Sequence, residues 1–531
     1  MFDPDAGSPA FTQRRDMARG RWYPTGTILP DGTVLSISGW KKGFVPGEGP
    51  DPPVLADTSE VYSIYSGTWT SLSSAPKTDI SIYPFIQVDP SPNGTRVLYL
   101  GPGANAHDEA PWTGPLQPAQ RLKNLDAGTP TWETNVGTYT VRGAAFARYN
   151  KDKVIKSGGI PSGGGSVTNQ ADTLTIDMST GNITAALTDG MCTARSEHQL
   201  VVLADGTVLA LGGTSVEQGG QDQCSNGVYV TELWDPSTGC WRQLAEMRPR
   251  NPKVPRMYHS TAVLLPDASV LSAGGECKLQ CPGNPAGDIS CRSGDFFKPP
   301  YLFKSDNTPA SDAERPAITG TVPQSVAYGE GLSFTRTVGS EAGSSAIKKV
   351  ALVKPGSTTH EVNMSQQYLP LTFTDGATLT VNASDMPNVR LAPPGYYMLF
   401  LVNNLNRPSK APFVVLWGII ESSVSYTVTQ QCNGGGGPPN LTFNVSWNTT
   451  IKPTGVNKLH LYGPGATCLG EGILTTASST NSFSHQISKT VACQNGTWKF
   501  VVKSTEGNSV SASQCVSVQV TCLSCCGCEL E

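Results

Sequence analysis

One pattern recurs along the first three hundred residues: an apolar strand, an Asp-Gly-like turn, a second apolar strand, then Gly-Gly or a close variant. The clearest copies occupy residues 21–39, 195–213 and 256–275, with weaker ones at 81–103 and 142–159. Each copy reads as a β-hairpin. Between them lies a second kind of hairpin with an aromatic near its end, as in Leu233-Trp-Asp-Pro-Ser-Thr-Gly-Cys-Trp241 and Tyr62-Ser-Ile-Tyr-Ser-Gly-Thr-Trp69. The two hairpins together make a four-stranded blade. Such blades bury their faces against one another, so they are expected to close around a central channel.

The heads of the copies lie roughly 50 to 60 residues apart, close to the kelch period. Residues 1–311 are therefore expected to form a kelch-type β-propeller. Phe2-Asp-Pro-Asp-Ala-Gly, with the residues up to Met17, reads as a blade tail without its head, so the propeller is expected to be incomplete at its N-terminus, by truncation. Asp295-Phe-Phe-Lys offers a strand to the last blade. After residue 312 the pattern becomes a sandwich-like series, Leu332-Ser-Phe, Lys349-Val-Ala-Leu-Val, Ala377-Thr-Leu-Thr-Val, Tyr396-Tyr-Met-Leu-Phe and Phe413-Val-Val-Leu, which predicts an immunoglobulin-like β-sandwich over 312–425. Residues 426–531, entered through Cys432-Asn-Gly-Gly-Gly-Gly-Pro-Pro, read as a small cysteine-rich β module. The high content of Gly (56) and Pro (41) suits an all-β, turn-rich chain of this kind.

The 38 Lys+Arg balance 42 Asp+Glu, which leaves no electrostatic footprint for nucleic acid or an anionic membrane. No run of about 18 apolar residues predicts a membrane span. Of 14 cysteines none precedes Cys192, and eight fall between Cys432 and Cys528. The even count fits disulfides, while Cys522, Cys525, Cys526 and Cys528 leave a metal cluster open as the competing reading. Asn-x-Ser/Thr acceptors stand at Asn93, Asn182, Asn363, Asn382, Asn440, Asn444, Asn448 and Asn495, and their crowding beside cysteines favours an extracellular, oxidising setting. The chain opens Met-Phe-Asp-Pro-Asp, without the pattern of a signal peptide.

Residues with redox and metal chemistry stand at the repeat heads. Tyr23 lies in Arg21-Trp-Tyr-Pro-Thr, Tyr258 and His259 lie in Arg256-Met-Tyr-His-Ser, and Thr359-His-Glu-Val-Asn-Met supplies His360. Two phenols and two imidazoles on β-structure suit Cu(II), which favours nitrogen and oxygen ligands in a tetragonal arrangement. On these motifs and in their order, the chain resembles the copper radical oxidases, the galactose oxidase and glyoxal oxidase group, from about residue 2 to 420. Lys298-Pro-Pro-Tyr-Leu-Phe, the Pro393-Pro-Gly-Tyr-Tyr-Met-Leu-Phe strand, and Cys277 with Cys281 placed like a short family disulfide add to the resemblance.

The resemblance implies copper held by Tyr23, Tyr258, His259 and His360. In it Tyr23 carries a tyrosyl radical, Tyr258 is the loosely bound general base, and a sandwich-domain loop brings His360 into the propeller channel. It also implies oxidation of small aldehydes, taken as their hydrates, or of primary alcohols, with O2 as oxidant and hydrogen peroxide released. The thioether that joins the radical tyrosine to a cysteine on an earlier blade has no partner here, because no cysteine precedes Cys192. That departure supports an alternative, a non-catalytic kelch-propeller protein of the cell wall or matrix whose C-terminal module contacts polysaccharide or another protein. His198, at a comparable blade head but without a tyrosine neighbour, reads as structural or substrate-facing. His107, His460 and His485 read as surface residues.

Overall fold

The structure is a computed structural model, and it describes residues 15–41, 55–77, 80–92, 94–102, 119–137, 141–142, 145–161, 166–216, 224–247, 254–275, 292–431, 440–450, 453, 455–464, 466–468, 472–478, 482–492, 494, 496–506 and 509–520. Among these residues there is no α-helix, and no helix is long and apolar enough to cross a membrane. The chain divides into two compact units, the first comprising residues 1–322, 333–381 and 389–413.

Five antiparallel sheets of the first unit are the expected blades. The first is Thr25–Ile28, Val34–Ile37, Glu60–Ser63 and Thr68–Ser71, and the second Pro84–Val88, Val97–Pro102, Ala119–Lys123 and Thr131–Gly137. The third is Ala145–Asn150, Lys153–Ser157, Ala171–Ile176 and Ile183–Thr188, and the fourth Ser196–Val202, Val208–Thr214, Val230–Asp235 and Cys240–Glu246. The fifth has three described strands, Ser260–Leu264, Val270–Gly274 and Gly294–Phe297. The first strands of neighbouring blades lie side by side, with Ala145–Asn150 and Ser260–Leu264 flanking Ser196–Val202.

The recurring sequence acquires its physical reason at the blade heads. Arg21, Arg195 and Arg256 each reach the acid on the third strand of their own blade, Glu60 at 2.7 Å, Glu232, and Asp295 at 2.6 Å. Each also donates to a carbonyl at the end of the second strand, of Ser38 (3.0 Å), Gly212 (3.2 Å) and Gly274 (2.8 Å) respectively. A buried guanidinium needs both kinds of partner to offset its desolvation. The glycines make room for the next head: a Cβ on Gly212 would lie 2.3 Å from the Arg256 carbonyl oxygen, and one on Gly158 2.3 Å from that of Arg195. Both have positive φ, where glycine alone is unstrained.

The strands of the sandwich region continue the third blade's sheet. Ala145–Asn150 pairs in parallel with Gln367–Leu371 through Arg148 and Gln367, and Gln367–Leu371 pairs with Ile347–Lys354, which pairs with Gly395–Asn403. The segment between Ile347–Lys354 and Gln367–Leu371 is a finger that returns to the blades. Its short strand Val362–Asn363 lies against the first strands of the second, third and fourth blades, and Thr358–Thr359 against that of the fifth.

The second unit comprises residues 323–332, 382–388 and 414–531. One sheet joins Ile419–Gln431, Asn440–Thr449 and Ser484–Ala492, and another is built around Val456–Tyr462 and Gly496–Glu506. Phe443, Trp447, Trp498 and Phe500 fill the core. A disulfide joins Cys468 to Cys515, as the cysteine-rich pattern leads one to expect, whereas Cys192 and Cys240 of the first unit are exposed thiols. Cys277, Cys281, Cys522, Cys525, Cys526, Cys528 and His107 lie outside the described residues.

The surface placement of two histidines is corrected. His460 and His485 lie on strands and are buried, His485 at an inward position of its strand's alternation and His460 on the face opposite the core residues Leu459 and Leu461. His485 is held between Thr449 (3.1 Å) and Asn457 (3.0 Å), with the Trp447 ring 5.6 Å away. Asn363 is corrected too, since at 2 % exposure inside the finger it offers no room for a glycan.

Candidate active site

The four residues expected at the site are brought together from two blade heads and the finger. The Tyr23 and Tyr258 hydroxyls are 3.3 Å apart. The His360 ring lies 4.9 Å from each phenol ring and 4.7 Å from the His259 ring, nearly perpendicular to His259, and His259 lies 3.8 Å from Tyr258. Exposure falls across the cluster: His259 is exposed, Tyr23 and Tyr258 are half-buried, and His360 is buried.

The backbone that presents these rings is unusual. Tyr23 (φ 62°), His259 (φ 64°) and His360 (φ 49°) all occupy the left-handed region, which side chains other than glycine seldom adopt and which costs about 1–3 kcal/mol at each. The surrounding contacts hold them there. Thr358 Oγ1 donates to the Ala262 carbonyl (3.0 Å), Gln87 Nε2 to that of Met364 (3.4 Å), and the Gln366 amide both donates to Leu200 O (3.0 Å) and accepts from Val202 N (2.6 Å). The finger that carries His360 is thus fastened to three blades.

Tyr83 completes the cluster and was missed in the sequence. Its ring stacks on His360 (4.1 Å) and on Tyr23 (4.4 Å), and its hydroxyl is 3.1 Å from His360 Nε2. Its φ of 44° is again left-handed. A signal was present: Tyr83-Pro84 repeats the Tyr23-Pro24 pair at the head of a weaker repeat copy. Thr359 Oγ1 lies 2.6 Å from the other ring nitrogen of His360. Burial, with repulsion from His259 adding to it, pushes His360 down to about 3, so the ring is a neutral imidazole at ordinary pH.

Beside His360, Glu361 is fully buried, and burial followed by the Glu197 charge raises it well above the carboxylate range. Glu197 (φ 57°) occupies the left-handed head position of the fourth blade. Its neighbour His198 is fully buried with Nε2 3.2 Å from Ser157 Oγ, and desolvation holds it well below the usual imidazole value. His198 is therefore a packing residue of the blade and does not reach the ring cluster through these contacts.

Two imidazoles and two phenol oxygens brought together form a donor set of the kind Cu(II) accepts. A family model described as glyoxal oxidase N-terminus matches residues 153–282, and one described as galactose oxidase-like, Early set domain, matches residues 315–416. Over these two segments the chain is similar to the galactose oxidase and glyoxal oxidase family.

Galactose oxidase of Gibberella zeae is 27 % identical over 77 % of the chain and 56 % of its own length. Aldehyde oxidase GLOX1 of Arabidopsis thaliana is 26 % identical over 73 % of the chain and 62 % of its own length. The chain thus spans somewhat over half the length of these curated relatives. A fungal alcohol oxidase solved in complex with copper shares the fold, with a TM-score of 0.58 at 24 % identity over 77 % of each chain.

Proposed function

We propose that this protein is an extracellular copper radical oxidase that oxidises small aldehydes or primary alcohols with O2 and releases hydrogen peroxide. The observation that carries the reading is the convergence of Tyr23, Tyr258, His259 and His360, with two phenol oxygens 3.3 Å apart beside the His360 ring. These four residues would hold the metal. Copper, when bound, exchanges one electron and gives dioxygen a place to react.

The substrate must lose two electrons, so Tyr23 is assigned the second as a tyrosyl radical. Tyr258 Oη, half-buried and next to the open side of the cluster, is assigned the proton of the substrate hydroxyl as general base. His360 stays neutral, and its burial keeps water away from one side of the rings. An alcohol would leave as the aldehyde, and an aldehyde hydrate as the carboxylic acid, each with one hydrogen peroxide per O2 consumed. The extracellular setting is supported by the Cys468–Cys515 disulfide. Residues 1–311, 312–425 and 426–531 remain our working division into propeller, sandwich and module.

The absence of any cysteine before Cys192 favours a second reading, a non-catalytic propeller protein of the matrix or cell wall. Peroxide release by the copper-loaded chain on a panel of aldehydes, primary alcohols and galactose separates the two. Turnover that disappears in His360→Ala is expected. Copper uptake with no peroxide from any substrate would instead favour the second reading.

A further inference from the structure

Three Asn-x-Ser/Thr acceptors of the second unit share one strand. Asn440, Asn444 and Asn448 recur every fourth residue along Asn440–Thr449, whose burial alternates strictly, with Leu441, Phe443, Val445 and Trp447 inward. A spacing of four is a multiple of the strand's two-residue period, so all three side chains point outward in one row. Successive acceptors stand about 14 Å apart along the strand.

The strands on either side keep that face neutral. Asn444 faces Thr427 on one side and Ser488 on the other, and Ser446 faces Ser425 and Gln486, all of them in register and exposed apart from the middle strand. None of these positions is aromatic, so the face lacks the apolar ring platform on which a bound sugar would stack. It is a surface suited to carry sugar covalently.

We propose that Asn440, Asn444 and Asn448 are N-glycosylated, so that a row of glycans covers the outward face of this sheet. The proposal deepens the extracellular reading and does not depend on the oxidase chemistry. In the transfer, Asn Nδ2 bonds to the anomeric carbon of an oligosaccharide while that carbon's bond to the pyrophosphate of its lipid donor breaks. The lipid pyrophosphate leaves, and the proton lost from Nδ2 passes to water, with no change of oxidation state.

The hydrogen bonds of the row tolerate this. Asn444 Nδ2 donates one bond to Thr427 Oγ1 (3.4 Å) and its Oδ1 accepts from Ser488 Oγ (2.6 Å). Asn448 Oδ1 accepts from Ser484 Oγ (2.8 Å). A glycosylated amide keeps its carbonyl and one N–H, which is what these bonds require. Asn363 has the same motif but is 2 % exposed, and Gly356 packs against its amide so closely that an added Cβ would lie 2.6 Å away.

The test expresses the full chain behind a fused leader in a yeast secretory host and maps acceptor sites by glycosidase release in heavy-oxygen water. Label at Asn440, Asn444 and Asn448 but not at Asn363 is the expected result, with three stepwise losses of mass as the three are changed in turn to Gln. Label at the exposed Asn182 or Asn382 with none in the row would overturn the proposal while leaving secretion intact. A secreted chain labelled nowhere would overturn it as well.

Discussion

Tyr83 touches the two residues on which the proposed chemistry depends, stacking on Tyr23 and placing its hydroxyl on Nε2 of His360. A metal taken up at Nε2 must displace that hydroxyl, whose net hydrogen bond is worth about 1 kcal/mol. Tyr83→Phe is expected to keep both ring stacks and to tighten copper binding by up to about tenfold, measured by calorimetric titration of the metal-free chain. Gly212→Ala tests the backbone instead. Its Cβ would stand 2.3 Å from the Arg256 carbonyl oxygen at a φ of 69°, so a loss of about 2 kcal/mol or more is expected in denaturant melts. The rings at 23, 258, 259 and 360 were legible because each lies in a distinctive motif. Glu197 and Glu361 were not, because a glutamate in a polar motif reads as surface until the fold buries it.

At the scale of elements, strands were legible wherever alternation and turn chemistry agreed, as in the five repeat hairpins and in Gly395–Asn403. The finger was legible only as the source of His360. Its anchoring by Gln366 and Thr358 joins residues far apart in the chain, a kind of contact that no local pattern encodes. The strand Ile347–Lys354 ends on a buried cation, Lys354, with Nζ 3.4 Å from the Pro393 carbonyl and 5.5 Å from the Tyr397 ring centre. Burial lowers it to about 8.

Below pH 8 this lysine is charged both folded and unfolded, so its desolvation cost applies in full. Between about 8 and 10.5 the unfolded chain holds a proton that the folded one has lost, and the cost is relieved as pH rises. Lys354→Met is therefore expected to stabilise the protein at pH 7, by at most about 3 kcal/mol, with the advantage shrinking towards pH 10.5. Thermal melts of both proteins across that range check the sign.

For the molecule as a whole, the order of blades, sandwich strands and cysteine-rich module could be read along the chain because each obeys a different period and composition. Which cysteines pair could not, since connectivity depends on the fold and not on spacing. Cys468 and Cys515 close a loop with a sequence separation of 47, worth about 4 kcal/mol if the loop entropy of the unfolded chain dominates. Reduction is expected to lower the melting of the second unit, followed through its buried Trp447 and Trp498, and to leave copper binding by the first unit unchanged.

The gradient of exposure across the ring cluster has a kinetic consequence. His360 and Tyr83 are buried while His259 is exposed to solvent. His259 is the most solvent-exposed ring of the cluster, so exchange of an ion with the site is expected to begin and end at this imidazole, and its side chain to weigh more on the rates of loading and loss than on the shape of the inner rings.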